Sequence, residues 1–456
     1  MTAASSSSGS TGHVWVRNQR AGEVLPRIRH GEGAYLIDET GKRYLDGSGG
    51  PVISCVGHRN REVIDAIRQQ LDRFEYAFCG HFTTDAIDAL AETIIAEAGL
   101  PYRRVSFVSG GSEAIETCMR IALQYHVARG EPGRVQFISR RQSWHGYTFG
   151  ALAVSGHFMR RRHYANALMP ATFLSPANVY RPPIGISPDD LAQYCVEEFE
   201  RAILTLGPER VAAFIFEPVT GTAGGAVPAP AGYAKAMRAV CERYGVLMIS
   251  DEVMCGVGRC GTWRALESDG IASDVMAIAK GLGGGYMPIG AAVYTEEVYR
   301  TIVTAHGTVG TAHTYAGHPV ACAAALAVLR LIKREGLVEK VRRDGAYLRA
   351  RLEKAFAGHD HIGDIRGRGL LLAIEFVRDR GTKQPFPRTL QLHTKLRERT
   401  FENGLICFPS GGTVDGINGD HVLLAPPYTA TGEELDAIVS ILATSVDQVF
   451  CELGPQ

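Results

Sequence analysis

Lys280 ends the apolar run of "DVMAIAKGLGGGYMPIGAAV" (Asp274 to Val293) and stands directly against a glycine-rich turn. A lysine that only needs water for its charge can lie on any helix surface, stem packed and ammonium in solvent. Val275, Met276, Ala277, Ile278 and Ala279 are too apolar for an exposed strand and suit a parallel strand covered on both faces. The carboxyl end of such a strand opens on the crevice where open α/β sheets bind ligands. An amine desolvated there has a lowered pKa and can attack a carbonyl carbon. For an isolated lysine, a packed stem with its head on a carboxylate is the simpler explanation, so the chemistry depends on partners.

Five further segments supply them. "VSGGSEAIETCMRIAL" (Val108 to Leu123) passes through Ser109, Gly110, Gly111 and Ser112 into a helix. Free N–H groups and the positive dipole end make that turn an anion site, and Ser112 can add a hydroxyl. Ser before a Glu-rich first turn is also an ordinary helix cap. "RRQSWHGYTFG" sets Trp144 and His145 before Gly146, offering a flat ring to stack on a heterocycle, although a lone aromatic is more often core. "LMISDEVMCGVGRCG" (Leu247 to Gly261) ends a strand with Asp251 and Glu252, where a carboxylate holds a protonated ring nitrogen or serves a local turn. Lys280 follows Asp251 by 29 residues, about one helical crossover and one strand, so both can face one crevice. "AAFIFEPVTGTAGG" adds Glu217, and "GTAHTYAGHP" adds Thr314 in a loop of small residues.

The elements that must position these residues are short apolar strands alternating with longer amphipathic helices. Strands are expected at Val105 to Ser109, Val135 to Ser139, Val211 to Glu217, Val246 to Asp251, Val275 to Lys280 and Ile289 to Tyr294. Helices are expected at Glu113 to Arg129 and Tyr233 to Tyr244. Such alternation argues for a mostly parallel sheet with helices on both faces. Only the turn Gly281 to Pro288 separates the last two strands, too short for a helical crossover, so one of them is expected to run antiparallel. "GAYLIDETGKRYLDG" (Gly33 to Gly47) reads as a hairpin, and "RGRGLLLAIEF" and "DHVLLAPP" as two strands of a smaller α+β domain.

A phosphate cradle, a stacking ring, a carboxylate for a ring nitrogen and a carbonyl-seeking lysine together describe a site for pyridoxal 5′-phosphate. On "ISDEVMCGVGRCG" and "AIAKGLGGGYMPIGA" the sequence resembles the class III aminotransferases, the fold type I family that includes the omega-transaminases, from about Gly33 to about Leu442. The resemblance implies an α/β fold with a mostly parallel seven-stranded sheet, helices on both faces and a smaller α+β domain. It implies an internal aldimine on Lys280, Asp251 on the pyridine nitrogen, and Gly111 and Ser112 at the phosphate. Trp144 and Val253 would then flank the ring, with His145 and Glu217 also at the cofactor. Thr314 would reach the phosphate of a neighbouring subunit in a homodimer, or in a tetramer built from it. The implied reaction moves an amino group from an amine or omega- or beta-amino compound to a keto acid by a ping-pong mechanism.

Three departures from the family pattern bear on the substrate. Met254 stands where many relatives place Gln, and "EPVTGTAGG" lacks the acidic switch residue of gamma-amino acid transaminases. Ile417 and Asn418 stand where many relatives carry the arginine that grips a carboxylate, so pyruvate is expected to be favoured over 2-oxoglutarate. Arg259 is expected to anchor its loop, and Arg366 and Arg368 to support a small-domain turn, with lining of the pocket by either as the alternative.

The 456-residue length suits a large domain with a smaller companion. The expected division is a disordered tail at 1–12, an N-terminal segment of the small domain at 13–75, a cofactor-binding domain at 76–330 and a C-terminal small domain at 331–456. Lys plus Arg equals Asp plus Glu at 48 each, which points away from nucleic acid and membranes and toward a small-molecule ligand. Ten scattered cysteines without CxxC pairs favour the cytoplasm, and Cys255 and Cys260 read as buried thiols, with no metal site expected. A racemase, aminomutase or decarboxylase would share every cofactor contact. A nicotinamide-dependent dehydrogenase is the remoter alternative, because no G-x-G-x-x-G opens a helix after the first strand.

Overall fold

Adjacent parallel strands whose ends line up create a crevice along one edge of a sheet, and this chain builds its site on such an edge. The computed structural model describes residues 24–454; the expected tail at 1–12 lies outside them. The central sheet has seven strands, in the order Tyr102–Val108, Gly290–Thr295, Val275–Ile278, Leu247–Asp251, Val211–Phe216, Gln136–Arg140 and Thr172–Leu174. Gly290–Thr295 is antiparallel to both of its neighbours, and the other pairings are parallel. All six expected strands are present within a few residues of their expected limits. The seventh, Thr172–Leu174, is a three-residue edge strand too short to leave a periodic signal.

Helices cover both faces. Helix Gly111–Ala128 buries Ala114, Ile115, Cys118, Ile121, Ala122 and Tyr125, a stripe at helical spacing, against Ala213, Ile215, Ile249, Ala277 and Ala292 of the sheet. On the opposite face, helices Leu191–Leu206 and Tyr233–Tyr244 cover Phe214, Phe216 and Met248. Helix Pro319–Arg334 is alanine-rich and buried nearly all round, packed between helices Arg61–Arg73 and Asp85–Ala98; it runs through the expected boundary at 330/331.

The smaller sheet corrects one expectation. "RGRGLLLAIEF" is not one strand but most of an antiparallel hairpin, Ile362–Arg368 and Leu371–Phe376, turning at Gly369 with φ +57°. Glycine adopts that left-handed conformation without a Cβ penalty, which makes the turn possible between Arg368 and the leucines that follow. Asp420–Leu424 and Phe408–Gly411 complete this sheet. The N-terminal hairpin, Tyr35–Asp38 with Arg43–Asp46, gains Ile28–Glu32 on one side and Leu405–Ile406 on the other, tying the start of the described chain to its C-terminal part.

Candidate active site

Asp251 pairs with Ala277 across two parallel strands, so Asp251 and Lys280, two residues beyond the end of Val275–Ile278, reach the same sheet edge. Glu217 follows the next strand, Val211–Phe216, and the loop after Gln136–Arg140 carries Trp144 and His145. The turn after Tyr102–Val108 delivers Gly110, Gly111 and Ser112 to the same place. These residues line one cavity of about 460 Å³, with Ile53, Thr222, Val253, Met254 and Met287 among the others on its wall.

Lys280 has φ +44°, in the left-handed region that costs a non-glycine residue energy, and it opens the turn Lys280–Leu282. Its amine has no hydrogen-bond partner among the described residues. Burial pulls its pKa from 10.5 to about 8, more than Asp251 and Glu217 push it back up. It is a lysine held near neutrality at a strand end, not one paired directly with a carboxylate.

Asp251 is held at both carboxylate oxygens. His145 Nδ1 lies 2.7 Å from Asp251 Oδ2, and Val253 N–H donates to Asp251 Oδ1 at 3.0 Å. A carboxylate only accepts, so Nδ1 carries the proton in this contact. His145 Nε2 lies 3.2 Å from Ser139 Oγ, and the His145 N–H donates to Ser155 Oγ. The Glu217 carboxylate accepts from Trp144 N–H at 3.1 Å and Gly221 N–H at 2.9 Å, and burial raises its pKa.

Ser112 does not cap its helix. The N-cap is Gly110, and Ser112 Oγ instead accepts from Tyr147 N–H at 2.9 Å, fixing the loop that carries Trp144. The first-turn N–H groups of Gly111 and Ser112 have no acceptor within the helix. A Cβ at Gly111 would lie 2.9 Å from Val253 Cγ1, so any larger residue on this floor of the cavity must displace Val253 or the turn.

Thr314 is exposed and lies outside this cavity; its carbonyl accepts from Tyr76 Oη. Glu252 points away as well, accepting from Ala265 N–H and Leu266 N–H. Arg259 anchors its loop by donating to the carbonyls of Leu370, Pro426 and Ser54. Arg366 bonds Gly224 and Gly225 and pairs with Asp364 and Glu375, while Arg368 donates to Ala265 O. Ile417 and Asn418 sit in an exposed turn whose N–H groups donate to Asp415 Oδ1. Cys255 and Cys260 are free and buried. Among the described residues no acidic, histidine or cysteine cluster forms a metal site, and no helix is long and apolar enough to cross a membrane.

Sequence reasoning missed Ser139 and Ser155, which hold His145, and Arg160, whose guanidinium lies 5.0 Å from the Trp144 ring centre. In "GHFMRRRHY" Arg160 is one of three successive arginines and carries no signal that separates it from a solvated run.

Residues 16–446 match the class III aminotransferase family. An uncharacterized aminotransferase of Schizosaccharomyces pombe is 40% identical over 431 residues, covering 94% of each chain. An (S)-enantioselective omega-transaminase from Thermomicrobium roseum superposes with a TM-score of 0.87 at 34% identity, covering 94% of this chain and 93% of the other. An amine transaminase from an uncultivated Pseudomonas species, solved in its PLP-bound form, superposes at 0.90 with 31% identity, covering 98% and 100%.

Proposed function

The chain belongs to the class III aminotransferases, fold type I enzymes whose cofactor is pyridoxal 5′-phosphate, and we propose that it moves an amino group from an amine, or from a distal amino group, to a small keto acid. The observation that carries this reading is Lys280, a half-buried amine near neutrality with no hydrogen-bond partner among the described residues, sharing its cavity with Asp251.

The residues present fit the cofactor. The close approach of Gly111 to Val253, the first-turn N–H groups without an acceptor in the helix and the flat Trp144 ring suit a phosphorylated heterocycle. Gly111 and Ser112 would hold the phosphate, Trp144 and Val253 the two ring faces, and Lys280 would hold the cofactor covalently. When bound, the cofactor supplies the electron sink for the carbon that loses and regains a proton. Lys280 Nζ, with a pKa near 8, is suited to take a proton and give it back close to neutral pH. Asp251 would offer its carboxylate to the ring nitrogen, and His145 orients that carboxylate. Glu217 fixes the Trp144 backbone and so the stacking ring.

A homodimer is part of this reading. Thr314 is exposed and remote from its own cavity, so any phosphate it serves belongs to a second copy, and Phe78, Phe82, Tyr147 and Tyr315 are exposed aromatics suited to an interface. The small domain is taken to join the described part of the N-terminal segment, 24–75, to the C-terminal residues from 331. A cytoplasmic location is supported by ten cysteines that are all free.

Among the described residues the cavity lining contains no arginine. A dicarboxylate would therefore leave a charge poorly paired, and pyruvate is favoured over 2-oxoglutarate. The ratio of kcat/KM for the two acceptors, with one amine donor, tests this; a clear preference for 2-oxoglutarate would contradict it. Stoichiometric formation of a new amino acid from amine and keto acid separates a transaminase from a racemase, aminomutase or decarboxylase.

A further inference from the structure

A keto acid brings a carboxylate into a cavity already faced by Asp251 and Glu217, and one wall is backed by a guanidinium. Arg160 Nη1 donates to Thr222 Oγ1 at 2.9 Å and Nη2 to the Thr222 carbonyl at 3.0 Å, and Thr222 lines the cavity. The same guanidinium lies over the Trp144 ring, another part of the lining. Nη2 also reaches Ser410 Oγ at 3.4 Å, in strand Phe408–Gly411 of the smaller sheet. The head of Arg160 is thus held beside the cavity by the large domain, by the stacking ring and by the small sheet. Its charge is felt inside: Arg160 opposes Asp251 and Glu217 at the Lys280 amine.

We propose that Arg160 receives the carboxylate of the keto acid at the Thr222 wall, in the role left open by Ile417 and Asn418; this rests on the transaminase reading above. Thr222 and Ser410 offer neutral oxygens. A carboxylate oxygen in place of one of them makes a charge-assisted bond roughly twice as strong, so the exchange is favourable. The buried arginines near the site hold other partners: Arg140 the Glu217 carbonyl, Arg259 three backbone carbonyls, and Arg366 two carbonyls and two carboxylates. One guanidinium at the wall matches one carboxylate, which gives the expected preference for pyruvate a structural source. Arg160 also approaches the small sheet, so a carboxylate at Arg160 would report on both sides of the crevice.

The test uses the cofactor-loaded protein and the variants Arg160→Gln and Arg160→Lys. Propionate, an unreactive carboxylate, is titrated by calorimetry. The two half-reactions are followed separately by cofactor absorbance, one with a monoamine lacking a carboxylate and one with pyruvate. Arg160→Gln is expected to weaken propionate binding about tenfold or more, and to slow the pyruvate half-reaction at least about tenfold more than the amine half-reaction. Arg160→Lys, which keeps the charge and loses the planar fork, is expected to fall between, and it carries the comparison if the glutamine variant does not fold. Unchanged propionate binding, or equal losses in the two half-reactions, would overturn the proposal and leave Arg160 a support for Trp144. A wild-type protein inert to both amine and pyruvate would instead contradict the transaminase reading, and propionate binding would still decide the role of Arg160.

Discussion

His145 Nδ1 lies 2.7 Å from Asp251 Oδ2, and both side chains are buried at the carboxyl edge of the central sheet. The contact fixes the carboxylate in one orientation, Nδ1–H donating to Oδ2. Asp251→Asn retains the shape and loses the charge. It is expected to fold normally and to lose about a hundredfold or more in turnover. Steady-state kinetics beside a thermal melt checks this; turnover close to wild type would remove Asp251 from the mechanism.

Burial holds the Lys280 pKa at about 8 in the folded chain, against 10.5 for an ordinary lysine. Between these values the unfolded chain keeps a proton that the folded apoprotein has released, so stability rises with pH across the window. Below it, the charged amine is a cost to the fold. Lys280→Met should therefore melt higher than wild type in the apoprotein at neutral pH, and the gap should close as pH approaches 10.5. Melting both apoproteins across this range decides it, and a wild type that is the more stable at neutral pH would contradict the assignment.

The approach of Gly111 to Val253 is as specific. Gly111→Ala places a methyl 2.9 Å from Val253 Cγ1 and must displace that side chain or the turn. Cofactor affinity is expected to fall, and Val253→Ala in the same chain is expected to restore part of it, since the two changes share one contact. Equilibrium dialysis of cofactor reads both effects. Unaltered affinity in the single variant would show that this turn does not hold the phosphate.

Much of this site was legible because chemistry and strand ends coincide in the chain. Asp251 and Lys280 follow apolar runs whose pairing as adjacent parallel strands is the simplest way to bury them, and that pairing aligns their ends. Residues on turns were harder to place. Ser112 reads as a helix cap by its position, yet its hydroxyl serves Tyr147, a contact 35 residues away that no local pattern encodes. The hairpin at Gly369 was hidden because Arg366-Gly367-Arg368 carries no apolar signal of its own and reads as the start of the leucine-rich strand that follows. Arg160 was hidden because it stands in an arginine run, and only the fold carries the short helix Phe158–Arg161 to Trp144.

Thr314 gives a prediction that needs two copies. A dimer of one Lys280→Ala subunit and one Thr314→Ala subunit contains one site with neither change, if Thr314 serves the partner. Mixing the two variants after partial unfolding should regain turnover that neither has alone. No gain, with mixed dimers demonstrated by mass, would place Thr314 outside the partner's site.

The central claim is that Lys280 is the cofactor's covalent anchor. Borohydride treatment of the cofactor-loaded protein, followed by peptide mass spectrometry, tests it most directly. The reduced cofactor is expected on the peptide containing Lys280 and on no other lysine. The cofactor on a different lysine, or on none, would contradict it.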